Sequence, residues 1–141
     1  MKITAVIISR NDNYGGDFKS RLQRCISNAY ARLTEAGIKA EIIFVNYNPV
    51  EENEPIESFI HWPLSDAKLT VRIITVPAEV HKSLVESGTR KDVPVLEYLG
   101  KNAGIRRAKG EFILCMNPDI ILTKELVSEL KSLNKHCLGC F

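Results

Sequence analysis

Along this chain, continuous apolar runs rich in β-branched residues alternate with stretches whose apolar positions recur every three to four residues. Residues 3–8 (Ile-Thr-Ala-Val-Ile-Ile) form the first such run, the pattern of a short strand covered on both faces. It stops at a polar turn, Ser9-Arg10-Asn11-Asp12-Asn13-Tyr14-Gly15-Gly16-Asp17. From Phe18 the apolar positions fall at 18, 22, 25, 26, 29, 30, 33 and 36, one helical stripe, with Asp17 available as N-cap and Gly37 placed to end the helix. Residues 41–45 (Glu-Ile-Ile-Phe-Val) repeat the strand pattern and run into Asn46-Tyr47-Asn48-Pro49. Strand, helix, strand defines a βαβ unit.

Pro49, Pro55 and Pro63, with four glutamates between 51 and 57, mark residues 46–69 as a long loop with a short helical turn around 56–62. Residues 69–76 predict a third strand, stopped by Pro77. Residues 95–108 predict a helix ended by Gly110, residues 111–116 a fourth strand, and residues 123–134 an amphipathic helix with Leu126, Val127, Leu130 and Leu133 inward. Residues 135–141 read as a tail, and no repeat or low-complexity tract is present. The alternation implies one α/β domain over residues 1–141: a three-layer α/β/α sandwich on a mainly parallel sheet. In such sheets ligands sit beyond the carboxyl ends of the strands. That directs attention to residues 9–13, 46–49, 77–81 and 117–119.

Composition narrows the function. Of 141 residues, 43 are Ile, Leu, Val or Phe, enough for a packed core and against disorder. The net charge of +2 supplies no overall field for nucleic acid, so an anion site must be local. No apolar run is long enough to span a bilayer, and no signal peptide is evident, which leads to the expectation of a cytoplasmic protein whose Cys25, Cys115, Cys137 and Cys140 remain thiols. The tail pair Cys137 and Cys140 beside His136 supplies too few ligands for a closed zinc site.

Two segments could carry chemistry. Asn117-Pro118-Asp119 puts a carboxylate just beyond a buried strand, where it could share a divalent cation with phosphate oxygens; the same tripeptide also makes an ordinary turn that caps the next helix. Upstream, Lys101, Arg106, Arg107 and Lys109 concentrate positive charge in an otherwise balanced chain. On a helical wheel, Lys101 and Arg106 lie near the edge of the buried stripe and are the candidates to face an anion, whereas Arg107 points outward. His81, beyond the third strand, is a further candidate for lining a pocket.

The string Lys101-Asn102-Ala103-Gly104-Ile105, then Ala108, then Gly110-Glu111-Phe112-Ile113, followed by Asn117-Pro118-Asp119, resembles the signature of family-2 glycosyltransferases of the GT-A fold. With the order of elements, the likeness extends to about residue 133. It implies a nucleotide-sugar-binding half-domain in which Ser9, Arg10, Asn11 and Asn46 contact the base. Asn117 would contact the ribose, Asp119 an Mg²⁺ or Mn²⁺ ion, and Lys101 the diphosphate of a nucleotide-diphosphate sugar, where the wheel adds Arg106 as a second candidate. Asn46, Lys101 and Asn117 stand where that family carries aspartate, arginine and aspartate, so each lost carboxylate weakens attraction for a cation. The family's acceptor-binding half and catalytic base lie further along than this sequence runs. No residue here takes the role of the base, and the acceptor is unspecified. The expectation is therefore a transferase truncated to its donor half; the alternative is a non-catalytic module that binds the donor or a partner chain. A nucleotidyltransferase is disfavoured because Gly15-Gly16 makes a poor phosphate loop. Exposed apolar surface where the second half would pack predicts self-association or a partner.

Overall fold

A computed structural model describes residues 2–88 and 92–134. The order of elements is β1 (Ile3–Ser9), α1 (Phe18–Glu35), β2 (Ala40–Tyr47), α2 (Ile56–Phe59), β3 (Leu69–Val76), α3 (Ala78–Glu86), α4 (Glu97–Ile105), β4 (Phe112–Met116) and α5 (Lys124–Ser132). The four strands form one sheet in the order β3-β2-β1-β4, and every pair is parallel. The expected mixture of α and β with a mainly parallel sheet is therefore present, in the Rossmann-like arrangement. The tail with His136, Cys137 and Cys140 lies outside the described residues.

The first two apolar-rich runs became the two central strands, because only a strand with layers on both sides can bury consecutive residues. All seven residues of β1 and all eight of β2 are buried, whereas β3 and β4 are only partly covered. One core lies on the α1 face, where Ile3, Ala5 and Ile7 of β1 meet Leu22, Ile26 and Leu33 of α1 and Val127 and Leu130 of α5. The second lies on the α4 face and contains Val6, Ile8, Ile43, Val45 and Tyr47. A chain that moves outward from β1 to β3 on one face and returns to β4 by a helix on the other keeps one crossover hand throughout. The strand order therefore reverses between β1 and β4.

Three local expectations change. Asp17 makes no side-chain cap; instead Asn13 Oδ1 accepts from Phe18 N at 3.1 Å, and Asp17 pairs with Arg24 at 3.5 Å. Residues 78–86 form α3, starting directly after Pro77, so the approach expected at residues 77–81 is the first turn of a helix. The long loop begins at Asn48, two residues later than the expected start at 46, since β2 runs to Tyr47.

The α4–β4 turn is built on close backbone approach. A Cβ on Gly110 would stand 2.5 Å from Thr4 N, and Gly110 N donates to Thr4 Oγ1 at 2.8 Å. Beneath it, Glu41 is 1% exposed and gathers three partners: Thr4 Oγ1 and Lys109 N donate to its Oε2, each at 3.1 Å, and Arg72 Nε stands 2.7 Å from its Oε1. A buried carboxylate is tolerated only when so surrounded. Gly110 of the family-like signature therefore has a packing role at the amino end of the sheet.

Candidate functional site

At the carboxyl end of the sheet, the β1–α1 turn, the β4–α5 turn and the segment entering α4 converge above the point where the strand order reverses. They enclose a cavity of about 430 Å³. Ser9, Arg10, Asp12, Arg21, Glu97, Asn117 and Asp119 line it, with Ile8, Tyr14, Phe18, Val93 and Val95 as its apolar wall. Phe18 separates it from a second cavity of about 480 Å³ lined by Asn11, Asn13, Lys19, Glu54 and Phe59. This is the crevice that the topology of an open parallel sheet provides for ligands.

Three cations stand at the first cavity, each beside a carboxylate. Arg10 Nη1 donates to Asp12 Oδ2 at 3.2 Å while its Nε donates to Asn48 O. Lys101 Nζ donates to Glu97 Oε1 at 2.5 Å and to Asn117 Oδ1 at 3.1 Å, which ties α4 to the end of β4. Arg21 Nη1 lies 3.6 Å from Asp119 Oδ2, beyond hydrogen-bond distance. The charge of Asp119 also reaches Cys25 below it, whose thiol is pushed up to about 12, chiefly by burial and secondly by that carboxylate.

The expected site residues divide. Ser9, Arg10, Asn117 and Asp119 line the cavity, and Lys101 joins them through Asn117 and Glu97. Asn11 faces the neighbouring cavity, where its side chain is spent on the chain itself: Nδ2 donates to Val50 O and Glu54 O, and Oδ1 accepts from Val50 N. Asn46 lines neither cavity. It is 4% exposed, with Nδ2 3.4 Å from Glu57 Oε1 and an Oδ1 that has no partner among the described residues. Arg106 is not brought to this rim. It caps the C-terminus of α4, one turn before Lys109 and Gly110 meet Glu41 and Thr4 at the opposite end of the strands. The wheel gave its direction around the axis but not its height: five residues of helix advance about 7.5 Å. His81 sits behind the site, its Nδ1 3.3 Å from Tyr47 Oη, and burial followed by the nearby charge of Arg10 holds its pKa below the ordinary imidazole value.

Arg21 is the residue that sequence reasoning missed. It follows Phe18 by three positions, hence about 60° around the helix and beside the buried stripe, a placement the same wheel offered. Asp12 and Glu97 were passed over because a lone carboxylate in a turn or a first helical turn has no distinguishing pattern.

The residues present do not fit a protein-held Mg²⁺ or Mn²⁺. Among the described residues no group of three His, Cys, Asp or Glu side chains is arranged to hold a metal ion. The two oxygen donors expected of that motif already face positive groups, Asp119 toward Arg21 and Asn117 toward Lys101. No described helix is long and apolar enough to cross a membrane. No family model matches the sequence, and the search of curated proteins gives no match.

Proposed function

We propose that the chain is the donor-binding half of a GT-A-like glycosyltransferase and takes a nucleotide-diphosphate sugar at the rim above β1 and β4. The observation that carries this reading is the convergence of Arg10, Arg21 and Lys101 with Asn117 and Asp119 on one cavity, from three segments far apart in sequence. A cavity of about 430 Å³ suits a ligand of nucleotide size. Its apolar wall offers a face for a base, and its cations offer donors to a diphosphate. In transfer to an acceptor hydroxyl, such cations stabilise the departing nucleoside diphosphate.

The reading without turnover has its own support. Each carboxylate lining the cavity stands beside a cation: Asp12 by Arg10, Glu97 by Lys101, Asp119 by Arg21. A carboxylate held in an ion pair is a weak general base, and deprotonation of an acceptor needs a free one. The described residues therefore favour donor binding over transfer by this chain alone. Ile113, Ile120 and Ile121, exposed on and just after the outer strand β4, mark where a partner chain would pack, and light scattering across a concentration series tests for association.

Calorimetric titration with uridine and guanosine diphosphates, and with their hexose conjugates, tests the assignment. Saturable binding of at least one, without release of free sugar, is the expected result. Absence of binding by all of them rejects the reading, and sugar release rejects the non-catalytic version.

A further inference from the structure

Resting on that reading of the cavity, we infer that the guanidinium of Arg21 occupies the electrostatic role of a divalent cation, so that this site grips a diphosphate without a metal ion. Arg21 is held in place from behind. Its Nε donates to Gly16 O at 2.9 Å and its Nη2 donates to Tyr14 O, two backbone carbonyls of the turn that precedes α1. Two fixed acceptors along one edge of a planar guanidinium define its orientation. The remaining nitrogen, Nη1, is the one directed at Asp119, and at 3.6 Å it makes no hydrogen bond there or to any other described residue. Its N–H groups are thus unspent donors in the wall of the cavity. The side chain is only 28% exposed, whereas that of Asp119 is 51% exposed, so the carboxylate can swing into water while the guanidinium stays.

A divalent ion bound to Asp119 would meet that immobile positive charge at about the separation where like charges repel strongly. A phosphate oxygen meets the opposite situation: a preoriented donor, with Lys101 held on Asn117 across the β4 turn as a second cation. Asp119 is then the rival of the diphosphate for Arg21 and not its ally through a metal. The sign of its removal separates the two arrangements. If Asp119 holds a metal, neutralising it weakens diphosphate binding; if it competes for Arg21, neutralising it strengthens binding.

The experiment is calorimetric titration of uridine and guanosine diphosphates in EDTA and in excess Mn²⁺, on the wild type and on Asp119→Asn, Arg21→Gln and Arg21→Lys, with thermal melts to verify folding. The expected result is equal affinity in EDTA and Mn²⁺, tighter binding by Asp119→Asn, and a loss of about tenfold or more in Arg21→Gln that Arg21→Lys partly restores. Should Arg21→Gln fail to fold, Asp119→Asn decides alone, since it alters a half-exposed side chain. Binding that vanishes in EDTA, returns with Mn²⁺ and is weakened by Asp119→Asn overturns the inference while leaving the nucleotide reading intact. If neither nucleotide binds any variant in either buffer, the nucleotide reading itself is rejected and the inference goes with it.

Discussion

A Cβ placed on Gly104 would stand 2.5 Å from Val6 Cγ1, so α4 rests on β1 at a distance only a residue without a Cβ permits. Valine is stiff at χ1 and cannot turn that methyl aside cheaply. Alanine would favour the helix by about 1 kcal/mol, but overpacking costs about 1–3 kcal/mol, and here the second effect is larger. Gly104→Ala is therefore expected to lower stability by about 1–2 kcal/mol in urea denaturation. Pairing it with Val6→Ala makes room for the new methyl, so the double variant should be less destabilised than the two single losses added. Strict additivity would show that the contact is not the cause.

The buried Glu41 carries a second expectation. Arg72→Met leaves a carboxylate that is 1% exposed with, among the described residues, only Thr4 Oγ1 and Lys109 N as partners. The expected loss is about 2–4 kcal/mol, below that of a fully enclosed pair because the Arg72 side chain is 36% exposed and screened by water. Glu41→Gln in the Arg72→Met background should recover much of it, because the amide removes the stranded charge. A loss under about 0.5 kcal/mol in Arg72→Met would place the pair among ordinary surface contacts.

These two cases show what was legible in the sequence. The central strands were, because the buried middle of β2, residues 42–45, is a short continuous apolar and β-branched-rich run bounded by polar residues. Glu41 was placed at the head of that strand, but its partners Thr4, Lys109 and Arg72, distant in sequence, were not legible from the pattern. The carboxyl-end rim followed from topology, and Lys101 with Asn117 and Asp119 followed from their places on α4 and after β4. Periodicity does not report axial position, so the wheel that singled out Arg106 did not show that it stands at the C-terminal end of α4, beyond Lys101. It also does not report which side chains a turn consumes, as with Asn11. The helix α3 was missed although Pro77, Ala78 and Glu79 make a recognisable start, with Pro immediately before the first helical residue and an acid in the first turn.

A row of like charges predicts a salt response. Lys2, Lys39 and Lys68 immediately precede Ile3, Ala40 and Leu69, which lie in mutual register across β1, β2 and β3. The backbone joins them too, with Lys2 N donating to Lys39 O and Ala40 N to Lys68 O, both at 2.8 Å. No carboxylate forms an ion pair with any of the three among the described residues. Neighbouring like charges oppose folding, so Lys39→Glu is expected to raise stability by about 0.5–1 kcal/mol at low salt, shrinking as salt is added. A destabilised Lys39→Glu variant would contradict this.

Cys25 sets an alkaline limit. Its folded pKa is raised from 9.0 to about 12, first by burial and second by the charge of Asp119. Between those values the unfolded chain has lost a proton that the folded chain keeps. Its contribution is complete below about pH 9 and is lost as pH rises toward 12, with a slope approaching 1.4 kcal/mol per pH unit for this one group. Lysines and tyrosines titrate in the same range, so the quantity to measure is the difference between wild type and Cys25→Ala across pH 8 to about 10.5. That difference should narrow as pH rises. A constant offset would mean that the thiol is not buried as described.

The separation of Lys101 from Arg106 along α4 can be read directly in binding. Lys101 Nζ reaches Asn117 Oδ1 at the cavity, whereas Arg106 caps the far end of the helix and, among the described residues, makes no side-chain contact with the rim. Lys101→Met should weaken nucleoside-diphosphate binding about tenfold, the worth of one charge-assisted contact, and reduce its dependence on salt. Removing Lys101 also frees Glu97, whose carboxylate then repels the diphosphate, so Glu97→Gln in the Lys101→Met background should recover part of the loss. Arg106→Met removes a cation of equal charge from the same helix, yet at a distance where water and salt screen it, and it should change affinity by less than about twofold. Equal losses in the two variants would mean that binding responds to the total charge of the helix and not to the contact at Asn117.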